Sequence, residues 1–149
     1  MVGPEIEKTA QVRHVSRLFV MAAKLRVPYF SVVLRKGYGL GAMGMTAGSF
    51  HAPIFNVAWP TGEFGAMGLE GAVRLGFRKE LEALPEGAQR EALFQKLLAQ
   101  QYAHGEAMHM AATLEVDAVI DPAETRAWLV RGLAGARLRE GEGRFVDTW

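Results

Sequence analysis

The sequence predicts an α/β fold, and three observations carry the prediction. An almost unbroken apolar run, Pro28-Tyr29-Phe30-Ser31-Val32-Val33-Leu34, reads as a strand buried in a layered sheet. Directly after it Gly37-Tyr38-Gly39-Leu40-Gly41-Ala42-Met43-Gly44-Met45 reads as a tight turn opening a helix. The same order then recurs: Phe55-Asn56-Val57-Ala58-Trp59 as a second buried strand, a glycine pair at Gly65 and Gly68, and a helix over residues 69–77.

The totals bound what such a fold can do. A chain of 149 residues is about one domain. Half of the residues are hydrophobic and 22% are charged, an ordinary globular composition. Lys plus Arg (17) nearly cancels Asp plus Glu (16), so no general field draws in nucleic acid or an acidic membrane, and neither is expected as a partner. With no cysteine there is no disulfide framework, no thiolate metal site and no Cys nucleophile, which suits a cytoplasmic setting. No apolar run reaches the roughly 18–20 residues that span a bilayer.

Along the chain, Val12, Val15, Leu18, Phe19, Ala22 and Leu25 draw one stripe at spacings of three and four, predicting a helix over residues 5–26 that covers one face of the sheet. Pro28 ends it. The glycine turn then opens a short helix over about residues 41–49, with Met43 and Met45 as packing residues. Pro60-Thr61-Gly62-Glu63 breaks the second strand. Pro85-Glu86-Gly87 precedes a long helix over residues 88–103, continued over 108–114 after a kink near Gly105. Val116-Asp117-Ala118-Val119-Ile120 is a short strand, and Asp121-Pro122 supplies an N-cap and a first helical residue for a last helix over 122–133. Residues 1–137 form the expected domain; 138–149, with Phe145 and Trp149 among glycines and charges, read as a loose tail.

The search for chemistry turns first to side chains. His104 and His109 stand five apart rather than the four that set two imidazoles on one helix face, and no metal site is expected. No Gly-x-Ser-x-Gly elbow and no P-loop is present, which removes serine hydrolase and P-loop nucleotide chemistry. Gly39-x-Gly41-x-x-Gly44 matches the dinucleotide spacing, but no acidic residue closes the next strand, where Asn56 stands. Backbone amides remain. Gly41 and Ala42 leave the first N–H groups of the new helix uncovered, at the positive end of its dipole, where an oxyanion, a phosphate or a carboxylate can bind.

Three segments in order carry a resemblance: Arg35-Lys36-Gly37-Tyr38-Gly39-Leu40-Gly41-Ala42; Ala58-Trp59-Pro60-Thr61-Gly62-Glu63-Phe64-Gly65-Ala66-Met67-Gly68-Leu69-Glu70-Gly71-Ala72-Val73; and Val119-Ile120-Asp121-Pro122-Ala123-Glu124-Thr125-Arg126. Together they resemble the C-terminal, biotin-side half of the carboxyltransferase subunit of biotin-dependent acyl-CoA carboxylases, over about residues 3–133. The resemblance implies the crotonase fold, built of layered β-β-α units. It implies biotin on a carrier protein as cofactor and acyl-CoA as substrate, with CO2 passing from carboxybiotin to the acyl α-carbon. The positions that match the two amides stabilising the biotin ureido oxygen are Gly41 and Ala42, and Tyr38, Gly39 and Leu40 are the matching candidates for substrate binding. Crotonase-fold hydratases place a carboxylate early in the following helix, where this chain has Met43, Gly44, Met45 and Thr46.

The family's N-terminal half, which binds most of the CoA, has no counterpart before Met1-Val2-Gly3-Pro4, so the chain reads as a piece of a larger subunit. The resemblance thus implies three partners: an N-terminal carboxyltransferase half, a biotin carboxyl carrier protein and further copies in a homo-oligomer. A decarboxylase component running the transfer in reverse, and a non-catalytic module whose glycines serve only packing, are the alternatives. Which acyl-CoA is used, acetyl, propionyl or branched, is not written in these residues.

Overall fold

A computed structural model describes residues 4–137. Two parallel sheets lie at its centre. The larger joins β1 (Phe30–Val33), β3 (Phe55–Ala58) and β5 (Ala118–Val119) in the order β1-β3-β5; the smaller joins β2 (Lys36–Tyr38) to β4 (Glu63–Gly65). Register is continuous, with Phe30 opposite Phe55, Val57 opposite Ala118, and Tyr38 opposite Gly65. Two strands of the large sheet are each followed by one of the small sheet and a helix: β1-β2-α3 (Gly39–Met45), then β3-β4-α4 (Leu69–Gly76). This is the layered β-β-α order that the resemblance implies.

β3 is central and buried throughout, because its alternate side chains feed two cores. Phe55 and Val57 pack with Ile120 against Phe30 and against Trp128 and Leu129 of α8 (Thr125–Gly135). On the other face Ala58 joins Val33, Phe64, Val116 and Ala107, the last from α7 (Ala107–Ala112). The Trp59 indole donates to the Thr125 hydroxyl at 3.0 Å and fastens the end of β3 to the start of α8. Asn56 lies inside at 1% exposure, and among the described residues neither atom of its carboxamide has a hydrogen-bond partner. A third cluster, Val73, Leu81 and Phe94, joins α4, α5 (Arg78–Glu82) and α6 (Ala88–His104).

Several expectations hold closely, and others are corrected. Asp121 caps as expected, within a full capping box: its side chain accepts from the Ala123 N–H while Glu124 accepts from the Asp121 N–H. A short 3-10 turn (Pro122–Glu124) then leads into α8. The helix expected over 5–26 is broken into α1 (Pro4–Lys8) and α2 (Gln11–Lys24), because Thr9 and Ala10 turn back on the Ile6 and Glu7 carbonyls and Ala10 adopts φ 56°. α2 rests chiefly on α3 rather than on a sheet face, and α8 takes the place foreseen for it. β1, expected to be buried on both faces, is an edge strand whose first three residues are only half-buried. The short strand β2 was not foreseen. The tail expected over 138–149 lies outside the described residues.

Two predictions follow from the packing. A Cβ on Gly105 would stand 2.2 Å from the Phe64 carbonyl oxygen, whereas a Cβ on Gly71, inside α4, meets nothing within 4 Å. In denaturant unfolding Gly105→Ala is expected to cost about 1–3 kcal/mol and Gly71→Ala to gain about 0.5–1 kcal/mol. Glu70 is held below the ordinary carboxylate range by its own backbone N–H and by the Tyr102 hydroxyl. A carboxyl lowered by folding contributes stability above its unfolded range that is lost as pH falls. Glu70→Gln should therefore flatten the acid limb of stability against pH.

Candidate functional site

The site is built where β1 runs into the glycine turn. After β1 the chain is caught from the side by the segment leaving β3: the Thr61 hydroxyl donates to the Leu34 carbonyl at 2.5 Å and the Glu63 N–H to the Arg35 carbonyl at 2.7 Å. β2 then runs beside β4 to Tyr38, which is extended at φ −110° and is the residue preceding α3. Gly39 makes the turn. Its φ is 56°, and a Cβ there would stand 2.5 Å from the Ala66 carbonyl oxygen, so both conformation and space demand glycine.

α3 begins at Gly39, two residues before the position expected from sequence. Gly41 is thus its third residue, still in the turn whose N–H groups have no intrahelical acceptor, whereas Ala42, the fourth, is the first residue whose N–H faces the carbonyl of the capping residue Tyr38. The far end of α3 is tied down. The Thr46 N–H and hydroxyl both donate to the Ala42 carbonyl, each at 3.0 Å, and the Tyr29 hydroxyl reaches from the start of β1 to the Met45 carbonyl at 2.6 Å.

These ties frame a groove of about 840 Å³, lined by the consecutive residues 29–38 and by Gly41, Ala42, Met45, Thr46 and Phe50. The lining brings together Tyr38, Gly41 and Ala42, three of the residues singled out from sequence. Gly39 and Leu40 do not line it: Gly39 is pressed on the Ala66 carbonyl, and Leu40 is 68% exposed. The lining contributes Arg35 and Lys36 but no carboxylate and no imidazole. Such a surface suits an electron-rich or anionic ligand held by N–H donors, with no side-chain base among its walls.

Beside the groove lie two tyrosine–carboxylate pairs. The half-buried Tyr38 hydroxyl donates to Glu63, 25 residues away, and burial and the Glu63 carboxylate push its pKa well above the ordinary phenol value. The Tyr102 hydroxyl donates to Glu70 at 3.1 Å. The Lys36 ammonium stands 5.9 Å from the centre of the Tyr38 ring. From sequence Glu63 is as much a helix or turn partner as a functional group; what the sequence does not show is the pairing of β2 with β4 that brings it to Tyr38. His104 and His109, rejected on spacing, are nonetheless neighbours, with ring centroids 5.7 Å apart across the bend at Gly105, and both are exposed. Among the described residues no three His, Asp or Glu side chains gather where they could hold a metal ion.

Comparison with known proteins agrees with this frame. The carboxyl transferase domain family matches residues 1–140. The biotin-dependent acetyl-/propionyl-coenzyme A carboxylase beta6 subunit of Mycobacterium tuberculosis is 36% identical over 146 residues, covering 97% of this chain and 30% of that protein. A solved single-chain, multi-domain long-chain acyl-CoA carboxylase is 55% identical, with a TM-score of 0.76 over 88% of this chain and 12% of the other. The transcarboxylase 12S structure, a hexamer assembly with methylmalonyl-coenzyme A and methylmalonic acid bound, is 28% identical, with a TM-score of 0.81 over 99% of this chain and 28% of the other. The fold is thus the crotonase-like one of these carboxyltransferases. The chain spans 24% to 30% of the length of the first curated relatives it matches. With a matching family domain over nearly its whole length and the same layered frame, the chain belongs to the carboxyltransferase family of biotin-dependent acyl-CoA carboxylases.

Proposed function

We propose that this chain forms the biotin side of an acyl-CoA carboxyltransferase site, in which the Gly41 and Ala42 amides stabilise negative charge on the ureido oxygen of biotin. The observation that carries the reading is the composition of the groove: two successive amides at a helix start, flanked by Arg35 and Lys36, with no acid or imidazole in the walls. Biotin fits the residues present, because Gly41 has no side chain to cover its N–H and the half-buried Tyr38 lines the same groove. When bound on its carrier protein, biotin supplies the carboxyl group and, once that group has left, a basic ureido oxygen.

The chain's own residues do the rest. The Gly41 and Ala42 N–H groups donate to the oxygen as charge develops on it, and one such donor is worth about 2.7–4 kcal/mol of barrier. Arg35 and Lys36 add a positive field that favours the same charge. With no carboxylate or imidazole in the groove walls, these residues would bind and orient the group and would not themselves take up a proton.

The same reading names the partners. The edge of β1, free among the described residues, offers main-chain groups to a further strand, so a complementary N-terminal carboxyltransferase half would close the β1 part of the groove and supply most of the acyl-CoA contacts. A biotin carboxyl carrier protein, acyl-CoA and other copies of the subunit complete the assembly, in a cytoplasmic setting that accords with a cysteine-free chain.

The test is transcarboxylation by this chain assembled with a complementary half, carboxybiotin and acetyl-, propionyl- or branched acyl-CoA. Gly41→Pro and Ala42→Pro each delete one N–H, and each is expected to lower kcat roughly 10²–10³-fold while thermal unfolding confirms a folded assembly. Full activity in both folded variants would remove the amides from the mechanism. Net transfer from an acyl-CoA to biotin under every substrate ratio would favour the decarboxylase direction.

A further inference from the structure

We propose that Glu63 is a positioning residue for biotin in this groove: its carboxylate accepts the Tyr38 hydroxyl and thereby holds the Tyr38 ring as a fixed wall beside Gly41 and Ala42. The inference rests on the biotin-side reading and adds to it a residue that does not itself line the groove.

The groove wall needs an outside support. Tyr38 is the last residue of a three-residue strand and precedes a seven-residue helix containing three glycines, so local propensity does little to hold it. Its side chain caps nothing in α3. Its main chain is paired with Gly65, and a Cβ on Gly65 would stand 3.6 Å from the Tyr38 ring, so one side of the ring lies over a bare glycine. Neither contact fixes the ring along the strand, and the bond to Glu63 does.

Glu63 is well placed to give that support because it is itself held on both sides. Its N–H is bonded to the Arg35 carbonyl, it pairs with Lys36 in the parallel ladder, and it forms an antiparallel bridge with Glu106 on its other flank. The neighbouring Gly62 carbonyl accepts from the Ala107 N–H at 3.0 Å and the Phe64 N–H donates to the Gly105 carbonyl at 2.8 Å, so the backbone that carries the carboxylate is locked to the start of α7. Lys36, 5.9 Å from the ring centre, balances charge near the pair. A tyrosine on a weak turn is thus anchored by an acid on a rigid one.

The experiment is steady-state kinetics on the assembled carboxyltransferase, varying carboxybiotin and acyl-CoA separately. Glu63→Ala and Tyr38→Phe should each raise KM for carboxybiotin roughly ten-fold, the factor that one net hydrogen bond produces, and leave KM for acyl-CoA within about two-fold. The double variant should be no worse than either single one, because the two groups act as a unit. Glu63→Gln, whose carboxamide oxygen can accept the same hydroxyl, should recover most of the loss. Losses that multiply in the double variant, or a Tyr38→Phe protein with wild-type KM beside an impaired Glu63→Ala protein, would overturn the proposal. If the wild-type assembly transfers no carboxyl group, the biotin-side reading fails instead, and the bond is then read from tyrosinate absorbance against pH. The step missing in Tyr38→Phe should lie above the ordinary phenol range and come down in Glu63→Gln; an unmoved step would overturn the role of Glu63.

Discussion

The site depends on two places where main chain meets main chain with no side chain between. The segment around Phe64 and Ala66 is pressed from one side by Gly39 and from the other by Gly105, so closely that a methyl group at either glycine would overlap a carbonyl oxygen. Between those contacts lie the β2–β4 ladder and the bridge from Glu63 to Glu106. A shift of this segment would move the turn that opens α3, the start of α7 and the core around Phe64 together. Close packing of this kind is stiff, since protein interiors have almost no spare volume to absorb such a displacement.

That stiffness explains how a weak helix keeps its place beside the groove. α3 is short and glycine-rich and would not persist alone in water. Here its start is set by Gly39 on the Ala66 carbonyl, its end by Thr46 and Tyr29, and its flank by Phe19 of α2, which would lie 3.4 Å from a Cβ on Gly44. The small residues that cost the helix its own stability are the ones the proposed function uses, since Gly41 has no side chain to cover its N–H. Stability is supplied by neighbours.

How much of this was legible in the sequence follows from the range of the forces involved. β3, α4, α6 and the Asp121 cap come from local pattern, and the sequence announces them plainly: a run of buried apolar residues, a stripe at helical spacing, an Asp before a Pro. The start of α3 was also legible, displaced by two residues because Gly39 is recruited into the first turn. What escaped was non-local. β2 has only three residues and exists because β4 lies beside it; the break at Ala10 falls just before the apolar stripe that begins at Val12; the Tyr38–Glu63 and His104–His109 contacts join residues that no spacing rule connects. The half-exposed β1 reads like an interior strand because its residues are almost all apolar, while among the described residues only β3 pairs with it.

The central claim is that backbone donors at Gly41 and Ala42, rather than any side chain, meet the charge that develops on biotin. A structure of the assembled carboxyltransferase with biotin bound would test it directly. The account predicts the ureido oxygen within about 3 Å of the Gly41 and Ala42 nitrogens, with the ring system against Tyr38. A biotin held elsewhere, or one whose ureido oxygen is met only by side chains while these two amides face away, would contradict it.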